Sequence, residues 1–361
     1  MILFVNMIYK NWRDELYNSF KNISDISPDF SLSPEQKVFF KTYNTTETLS
    51  FLVTPYYFSL THPGDVNDPI GKQFLPDSRE FNIKPYEQID PLAEAKYTVS
   101  PGLVHRYRDR CILKVTDMCA VHCRFCFRRL LKKGGVLNRE HIKEAAQYIS
   151  CHREIKEVLL SGGDPFILED SKIDSILKTI KKINKNITIR IGTRCPVVLP
   201  QRITKNLLGI LKQYAPIWII THFNHPREIT EQSKSAVSLL LNAGIPVLNQ
   251  TVLLKNINHR VEILEKLFQD LVHLRVKPYY LFQGDLASGT SHFRISISRG
   301  LTIFKSLKTR LSGISLPRYV LDLPEGGGKV ILSDSIIKKV DNNWFYIENN
   351  DNELFKYPNE E

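Results

Sequence analysis

Apolar, β-rich runs recur through the middle of the chain at intervals of about 30 residues, after a longer first interval. Between them, apolar residues recur with the period of an amphipathic helix. Strands that alternate with helices in this way predict a parallel sheet with right-handed crossovers. The predicted strands begin near Cys111, Glu157, Ile187, Ile217, Pro246 and Lys277, and the predicted helices cover 139–151, 171–183, 201–214, 228–242, 260–274 and 296–312.

Polar residues stand at the carboxyl ends of the apolar runs, where parallel α/β folds place their active sites. Six strand–helix units fit either an open doubly wound sheet or a partial barrel. Because each of the six strand ends offers a polar group, we expect a partial (β/α)6 TIM-like barrel over 101–316. The polar groups are Thr116, Ser161 to Asp164, Thr193, Arg194, His222, Asn224, His225, Gln250 and Asp285.

The two ends of the chain differ from this middle part. Residues 1–100 are rich in Tyr, Phe, Pro, Asn and Asp and show short helical patterns near 11–22 and 33–43, which predicts a mainly helical extension. Residues 317–361 contain a glycine run and short strand-like pieces, which predicts a hairpin-rich flap. Either Met1 or Met7 is compatible with being the start of the protein.

The composition is that of an ordinary globular protein, with 42% hydrophobic and 24% charged residues. No apolar run reaches the roughly 18–20 residues of a membrane span, and the N-terminus does not resemble a secretory signal. We therefore expect a cytoplasmic protein. The formal charge of +11 permits nucleic-acid binding, but the lysines are dispersed, for example at 178, 181, 182 and 185, as on solvated helix faces.

Three of the six cysteines, Cys119, Cys123 and Cys126, fall within eight residues directly after the first predicted strand. Such a tight group indicates metal binding rather than a disulfide framework. Three thiolates can hold three irons of a [4Fe–4S] cluster and leave the fourth iron open to a small molecule. The alternative is a structural zinc site completed by His122 or a distant ligand, but the chain offers no second Cys-x2-Cys pair.

The other three cysteines stand outside this loop. Cys111 begins a strand and Cys151 ends a helix, and both are typical of small apolar fillers. Cys195 lies at a strand end, so proximity to the site stays open for it.

The cysteine loop, placed after the first strand of a repeating strand–helix chain, resembles that of the radical S-adenosylmethionine superfamily. The resemblance implies that the open iron chelates S-adenosylmethionine and that electron transfer cleaves it to a 5′-deoxyadenosyl radical. Ser161, Gly162, Gly163 and Asp164 resemble the element that contacts the methionine amino group. The other positions implied for this ligand are His222 and Gln250.

Further motifs resemble the lysine 2,3-aminomutase family over residues 95–335. They are 105–110, 127–129, 221–226, 249–254 and 278–280. That family uses pyridoxal phosphate, which requires a lysine that links to the cofactor. The resemblance assigns this role to Lys329 after Gly326, Gly327 and Gly328. It places cofactor contacts at Arg106, Tyr107 and Arg110.

The resemblance also implies the substrate and the reaction. Arg128 matches an arginine that pairs with the substrate carboxylate, and Asp285 and Asp322 match two aspartates that bind the ε-ammonium of lysine. Two converging carboxylates select a cation and reject an acid, so lysine is favoured over glutamate. The implied enzyme is an isomerase that makes β-lysine by a 1,2-amino shift, takes electrons from an external donor such as flavodoxin or ferredoxin, and forms homo-oligomers.

The chain departs from the family in one respect. Longer members carry a zinc site, whereas here the corresponding region is 256–260 and no cysteine follows Cys195. The short form resembles the branch that supplies β-lysine for modification of elongation factor P. Two alternatives stay open: a radical enzyme of this scaffold that acts on another amino acid or on a macromolecule, and a catalytically silent cluster protein.

Overall fold

A computed structural model describes residues 11–26, 30–42, 48–131, 135–341 and 343–360. The two candidate starts, Met1 and Met7, lie outside the described residues. In the described part of the chain, no helix has the length and apolarity that crossing a membrane requires.

The central sheet has ten strands in the order β1 to β10, so that neighbours in sequence are neighbours in space. Strands β3 to β9 run parallel, whereas β1, β2 and β10 are antiparallel to their neighbours. Among the described strands no pairing joins β1 to β10, so the barrel is open. The strands are β1 Thr98–Ser100, β2 Leu103–Tyr107, β3 Arg110–Thr116, β4 Glu157–Gly162, β5 Thr188–Gly192, β6 Ile217–Thr221, β7 Val247–Val252, β8 Lys277–Phe282, β9 Arg318–Leu323 and β10 Gly328–Ile331.

The six predicted strands and six predicted helices are all present. Two of the helices begin later than the sequence pattern predicts. Pro200 and Pro226 instead open short 3-10 turns, and the hydroxyls of Thr204 and Thr230 then cap α7 and α8. The helices that follow the sheet strands are α4 Arg139–Cys151, α5 Asp170–Ile183, α6 Cys195–Val198, α7 Lys205–Gln213, α8 Glu231–Asn242, α9 Val261–His273 and α10 Ile297–Arg310.

The N-terminal region contains the short helices α1 Trp12–Tyr17, α2 Pro34–Thr42 and α3 Pro55–Ser59. The helical pattern predicted to end at 43 ends at Thr42, and residue 43 lies outside the described residues. Aromatic side chains from this region join the main hydrophobic core, so the region is packed onto the barrel.

The segment predicted as a flap begins inside the sheet. Its first strand, β9, pairs in parallel with β8 and adds a seventh parallel strand to the predicted six. The glycine run then turns the chain back into β10, which pairs with β9 and places Lys329 opposite Asp322. A separate antiparallel sheet follows, made of β11 Ile337–Val340, β12 Trp344–Glu348 and β13 Leu354–Pro358.

Side chains alternate along the parallel strands. On β3, Cys111, Leu113 and Val115 are buried, while Ile112 and Lys114 between them are half-buried. The same alternation on β4 and β5 leaves one face of the sheet packed under helices and the other lining an accessible interior. The functional side chains described below stand on this interior face or at its carboxyl edge.

Candidate active site

The three clustered cysteines lie in the loop that follows β3, and all three are half-buried and form no disulfide. The N-terminal region holds this loop by its backbone. The His122 N–H donates to the carbonyl of Leu52 (2.9 Å), and the Arg124 N–H donates to the carbonyl of Gln73 (2.8 Å). The loop is therefore shaped by the protein itself.

A buried ion network fixes the same loop through side chains. Arg124 is fully buried and donates through Nε to Glu80 (2.8 Å). Arg129 also donates to Glu80, and its Nη1 reaches the carbonyl of Gly289 (2.8 Å). Burial alone would raise the pKa of Glu80, but the two guanidinium groups hold it below its ordinary value.

Arg194, at the carboxyl end of β5, points its guanidinium at the cysteine loop. Its Nη1 donates to the Sγ of Cys123 (2.8 Å), and its Nη2 donates to Glu228 (2.7 Å) and to the Tyr57 hydroxyl (3.0 Å). The sequence indicated Arg194 only as one polar strand-end residue and assigned it no role. The structure makes it a direct partner of the Cys123 thiol.

These residues fit the ligands of an iron–sulfur cluster by their chemistry. The donor set consists of thiols, and Arg194 offsets the negative charge that thiolates bring. Burial raises the pKa of the Cys126 thiol to about 11, so a bound cation is needed to hold it as thiolate at neutral pH. Within the described ranges, no three His, Cys, Asp or Glu side chains converge as ligands of a single metal ion would.

The Ser-Gly-Gly-Asp element at the end of β4 packs against the start of the cysteine loop. A Cβ on Gly163 would lie 2.2 Å from the carbonyl oxygen of Met118, and Gly162 has a φ of +120°. The N–H of Asp164 donates to that same carbonyl (2.7 Å). Glycine is needed here because the two backbones touch.

The carboxylate of Asp164 accepts hydrogen bonds from residues that follow β5 and from its own loop. Its carboxylate accepts from the Thr193 hydroxyl (2.6 Å), from the Arg194 N–H (2.7 Å) and from the Phe166 N–H (3.0 Å). These bonds occupy the side chain within the protein and position Arg194. Any contact of this element with a ligand therefore falls to its backbone and to Ser161.

His222 and Gln250 are the other two residues predicted to bind S-adenosylmethionine. His222 follows β6, and Gln250 lies on β7. His222 Nε2 pairs with Asn224 Oδ1 (3.0 Å). Burial, assisted by the charge of Arg194, lowers the pKa of His222 to about 3, so its ring is neutral. Gln250 is half-buried on the interior face of the sheet.

Lys329 on β10 occupies the other part of the site. Its Nζ donates to Asp322 Oδ2 (2.6 Å) and lies 4.0 Å from the ring centre of Phe282. Its backbone N–H donates to the Tyr107 hydroxyl (3.0 Å). The structure thus brings together Lys329, Asp322 and Tyr107, which the sequence predicted in three separate segments.

The glycine run before Lys329 is required by close contacts. Gly328 has a φ of +93°, and a Cβ there would lie 2.9 Å from Nη2 of Arg106. Arg106 lies 5.2 Å from the ring centre of Tyr107. Arg110 lies over the same ring at 4.1 Å but pairs with Asp109. Arg106 is therefore the arginine nearest the lysine turn.

Asp285 and Asp322 form an acidic pair beside the Lys329 amine. Asp285 is half-buried, and its buried Oδ1 has no hydrogen-bond partner. Burial, with the nearby charge of Asp322, raises the pKa of Asp285 to about 7, while Lys329 opposes the rise. A buried carboxylate oxygen without a partner leaves a place for a cation.

The sequence predicts that Arg128 pairs with the substrate carboxylate, but in the structure most of its donors bond other residues of the protein. Its Nε and Nη2 both donate to Glu94, at 3.0 and 2.5 Å, and its Nη1 donates to the Ser161 hydroxyl (3.1 Å). Glu94 also pairs with Lys114 (3.1 Å). Arg128 lowers the pKa of Glu94 although burial opposes this.

Glu94 is thus a site residue that the sequence did not indicate. It lies in the N-terminal region, 34 positions before Arg128, and no motif surrounds it. A guanidinium carries five N–H donors. In Arg128, Nη1 also donates to the Gly162 carbonyl (3.3 Å), so one N–H of Nη2 is left for another acceptor.

Comparison with known proteins gives one family match. The family model described as the Radical SAM superfamily matches residues 113–267. This range includes the cysteine loop and strands β4 to β7.

Curated relatives match over most of the chain. L-lysine 2,3-aminomutase of Fusobacterium nucleatum is 42% identical over 331 residues, which cover 90% of this chain and 77% of that protein. L-lysine 2,3-aminomutase of Methanococcus maripaludis is 43% identical over 331 residues, 90% of this chain and 76% of that one. Glutamate 2,3-aminomutase of Clostridioides difficile is 39% identical over 327 residues, which cover 90% of this chain and 76% of that protein.

Proposed function

Because the chain belongs to the L-lysine 2,3-aminomutase family of radical S-adenosylmethionine proteins, we propose that it converts lysine to β-lysine by moving the amino group to the neighbouring carbon. A relative that acts on glutamate is nearly as similar in sequence, so identity alone does not select the substrate. The observation that carries the proposal is the pair Asp285 and Asp322, with its unpartnered buried oxygen.

The residues fit two resident cofactors. Cys119, Cys123 and Cys126 would hold the [4Fe–4S] cluster that the superfamily implies. Lys329 would hold pyridoxal phosphate, with Tyr107 and Arg106 beside it; Arg106 suits a phosphate dianion. With S-adenosylmethionine bound, these groups would supply radical chemistry at a substrate carbon–hydrogen bond and a conjugated ring that can delocalise spin.

The side chains of the chain itself would select and orient the substrate. Asp285 offers its free oxygen to the ε-ammonium of lysine, and Asp322 joins it once the Lys329 amine is engaged elsewhere. A carboxylate in place of the ammonium would be repelled by both. The remaining donor of Arg128 would bind the substrate carboxylate, while Glu94 fixes the guanidinium plane. Binding at both ends of the substrate holds one carbon–hydrogen bond in place.

The proposal predicts that Asp285→Asn lowers kcat/KM for lysine by about 30- to 1000-fold, because it removes the charge that binds the ammonium. The protein is reconstituted anaerobically with iron, sulfide and pyridoxal phosphate, reduced, and supplied with S-adenosylmethionine and L-lysine. Chromatography then measures β-lysine. As pH falls through about 7, Asp285 takes up a proton. The KM for lysine should therefore rise below this pH in the parent protein. In the variant, KM should not show this rise.

The matched control is Asp174→Asn, which removes an aspartate that bonds the Tyr214 hydroxyl on the outer helices. It should leave kcat/KM unchanged. Formation of 5′-deoxyadenosine without β-lysine would retain the radical chemistry and overturn the substrate. Turnover of glutamate in place of lysine would overturn the role of the acidic pair.

A second prediction concerns Arg194. Arg194→Met removes a charged donor from the Cys123 sulfur, so the reduced cluster loses stabilisation and the midpoint potential falls by ~60 mV or more. Redox titration followed by electron paramagnetic resonance measures the potential at constant iron content. Arg190→Met removes an arginine that pairs with Glu157 near the amino ends of the strands, and it should not shift the potential. Equal shifts in both variants would contradict the role of Arg194.

A further inference from the structure

A second cation, Lys114, stands beside Arg128 in the site. It lies on β3, where alternate side chains face the accessible interior of the sheet. It is in register with Ser161 on β4, and the Ser161 hydroxyl accepts a hydrogen bond from Arg128 (3.1 Å). No sequence motif singles out Lys114, so its contacts have to indicate its role.

Lys114 and Arg128 share one acid, Glu94, and we call these three residues the Glu94 cluster. The Lys114 amine donates to Glu94 Oε2 (3.1 Å). Arg128 bonds both carboxylate oxygens of Glu94 through Nε (3.0 and 3.1 Å) and one of them through Nη2 (2.5 Å). The nearby Asp90 accepts instead from the backbone N–H groups of Glu94 and Ala95 (both 2.9 Å). The three side chains therefore carry two positive charges and one negative charge.

The acid is the most deeply buried member of the Glu94 cluster. The exposed fraction of the side chain is 6% for Glu94, 15% for Arg128 and 24% for Lys114. A ligand in the interior of the sheet therefore meets the two cations before it meets the acid.

Both cations keep hydrogen-bond donors for such a ligand. An ammonium group carries three N–H donors, and among the described residues the Lys114 amine bonds Glu94 alone. Arg128 keeps one N–H of Nη2. Three spare donors and one positive charge in excess suit a ligand group with a single negative charge.

Neutralising Glu94 does not require Lys114. Arg128 alone matches the charge of Glu94 and bonds both of its oxygens. A second cation that is mostly withdrawn from water is costly unless an anion offsets its charge. A carboxylate that binds beside Lys114 would supply this anion.

The Glu94 cluster and the acidic pair belong to one site. Burial is the main cause that raises the pKa of Asp285, and the charge of Arg128 is among those that lower it. One part of the site thus has a cation in excess, and another part has two carboxylates. This arrangement matches the carboxylate and the ε-ammonium of lysine.

We propose that Lys114 binds the substrate α-carboxylate jointly with Arg128 and makes tight binding depend on that carboxylate. The inference rests on the proposed lysine reaction and adds a specificity-determining residue to it. Amines of the same length that lack the carboxylate are then poor ligands, because they leave the excess positive charge unmatched.

The test measures binding without turnover. Unreduced holoenzyme with S-adenosylmethionine is dialysed to equilibrium against radiolabelled L-lysine, and L-lysinamide is measured by competition. Lysinamide keeps the ε-ammonium but carries a neutral amide in place of the carboxylate. Lys114→Met is expected to raise the Kd of lysine by about 10- to 100-fold, since a charged hydrogen bond is lost. The Kd of lysinamide should stay near that of the parent protein.

The matched control is Lys277→Met. Lys277 is half-buried like Lys114, but it begins β8 at the amino edge of the sheet. Its amine bonds the backbone carbonyls of Gly313, Ile314 and Leu316 (3.2, 2.7 and 3.1 Å). Both dissociation constants should match those of the parent. An unchanged Kd of lysine in Lys114→Met, or an equal rise for lysine and lysinamide, would overturn the proposal.

A double variant separates direct binding from an effect through Glu94. If Lys114 contacts the carboxylate itself, Lys114→Met should still weaken lysine binding in a Glu94→Gln background. No further loss in that background would make Lys114 a support for Glu94 alone and would overturn direct binding. A parent protein that binds no lysine would overturn the proposed function, whereas lysine binding that survives Lys114→Met overturns this inference alone.

Discussion

Glu80→Ala is expected to lower the free energy of unfolding by about 3–5 kcal/mol, because removing one partner of a buried ion network leaves uncompensated charge. Arg124 and Arg129 both bond Glu80 and are themselves buried. Water cannot reach them to replace the lost carboxylate. Urea denaturation of the protein before reconstitution measures the change.

The same variant should bind less iron after reconstitution, because Arg124 and Arg129 flank Cys126 in the loop. Glu169→Ala is the matched control. This variant also removes a carboxylate that pairs with an arginine, Arg13, but both side chains of the pair are about half exposed. An exposed pair contributes about 1 kcal/mol or less. Equal losses in the two variants would show that burial of the Glu80 network does not stabilise the loop.

Lys329→Ala should lower β-lysine formation by about 10³-fold or more, as expected when a residue that binds a cofactor covalently is removed. The protein would also lose the visible absorbance of bound pyridoxal phosphate. Borohydride treatment of the parent followed by peptide mass spectrometry should locate the cofactor on Lys329.

Three outcomes of this experiment are informative. Lys338→Ala removes a lysine on β11 that pairs with Glu348, and activity and absorbance should both persist. Iron content should be the same in all three proteins, because the cysteine loop lies elsewhere in the barrel. Cofactor found on another lysine, or full activity of Lys329→Ala, would contradict the assignment.

Local patterns made much of the fold predictable. The alternation of apolar strands and amphipathic helices is encoded within each segment, and α4 matches its predicted bounds. The sequence predicts a flap where the structure has strand β9, because this segment follows Pro317 and precedes a glycine run. Proline and glycine are both signals of turns. The pairing of β9 with β8 is a long-range contact, which no local pattern records.

The site divides in the same way. The cysteines and Lys329 stand in short motifs, so the sequence indicates them. Glu80 and Glu94 act through arginines 49 and 34 positions away, and no local signal points to such partners. The boundaries at residues 100 and 316, the homo-oligomer, the cytoplasmic location and the link to elongation factor P stay predictions.

The C-terminal sheet has a consequence for the order in which the site matures during synthesis. Tyr357 on β13 donates to the carbonyl of Gly284 (2.6 Å), next to Asp285, and Asn349 donates to the carbonyl of Gly327 (3.2 Å). Strand β13 and the turn before it therefore leave the ribosome after the lysine turn and the acidic pair that they brace. The contacts of the cysteine loop described above come from residues before β9, among them Gly289 and Phe293. A nascent chain can therefore complete the surroundings of the cysteine loop before β13 braces the acidic pair.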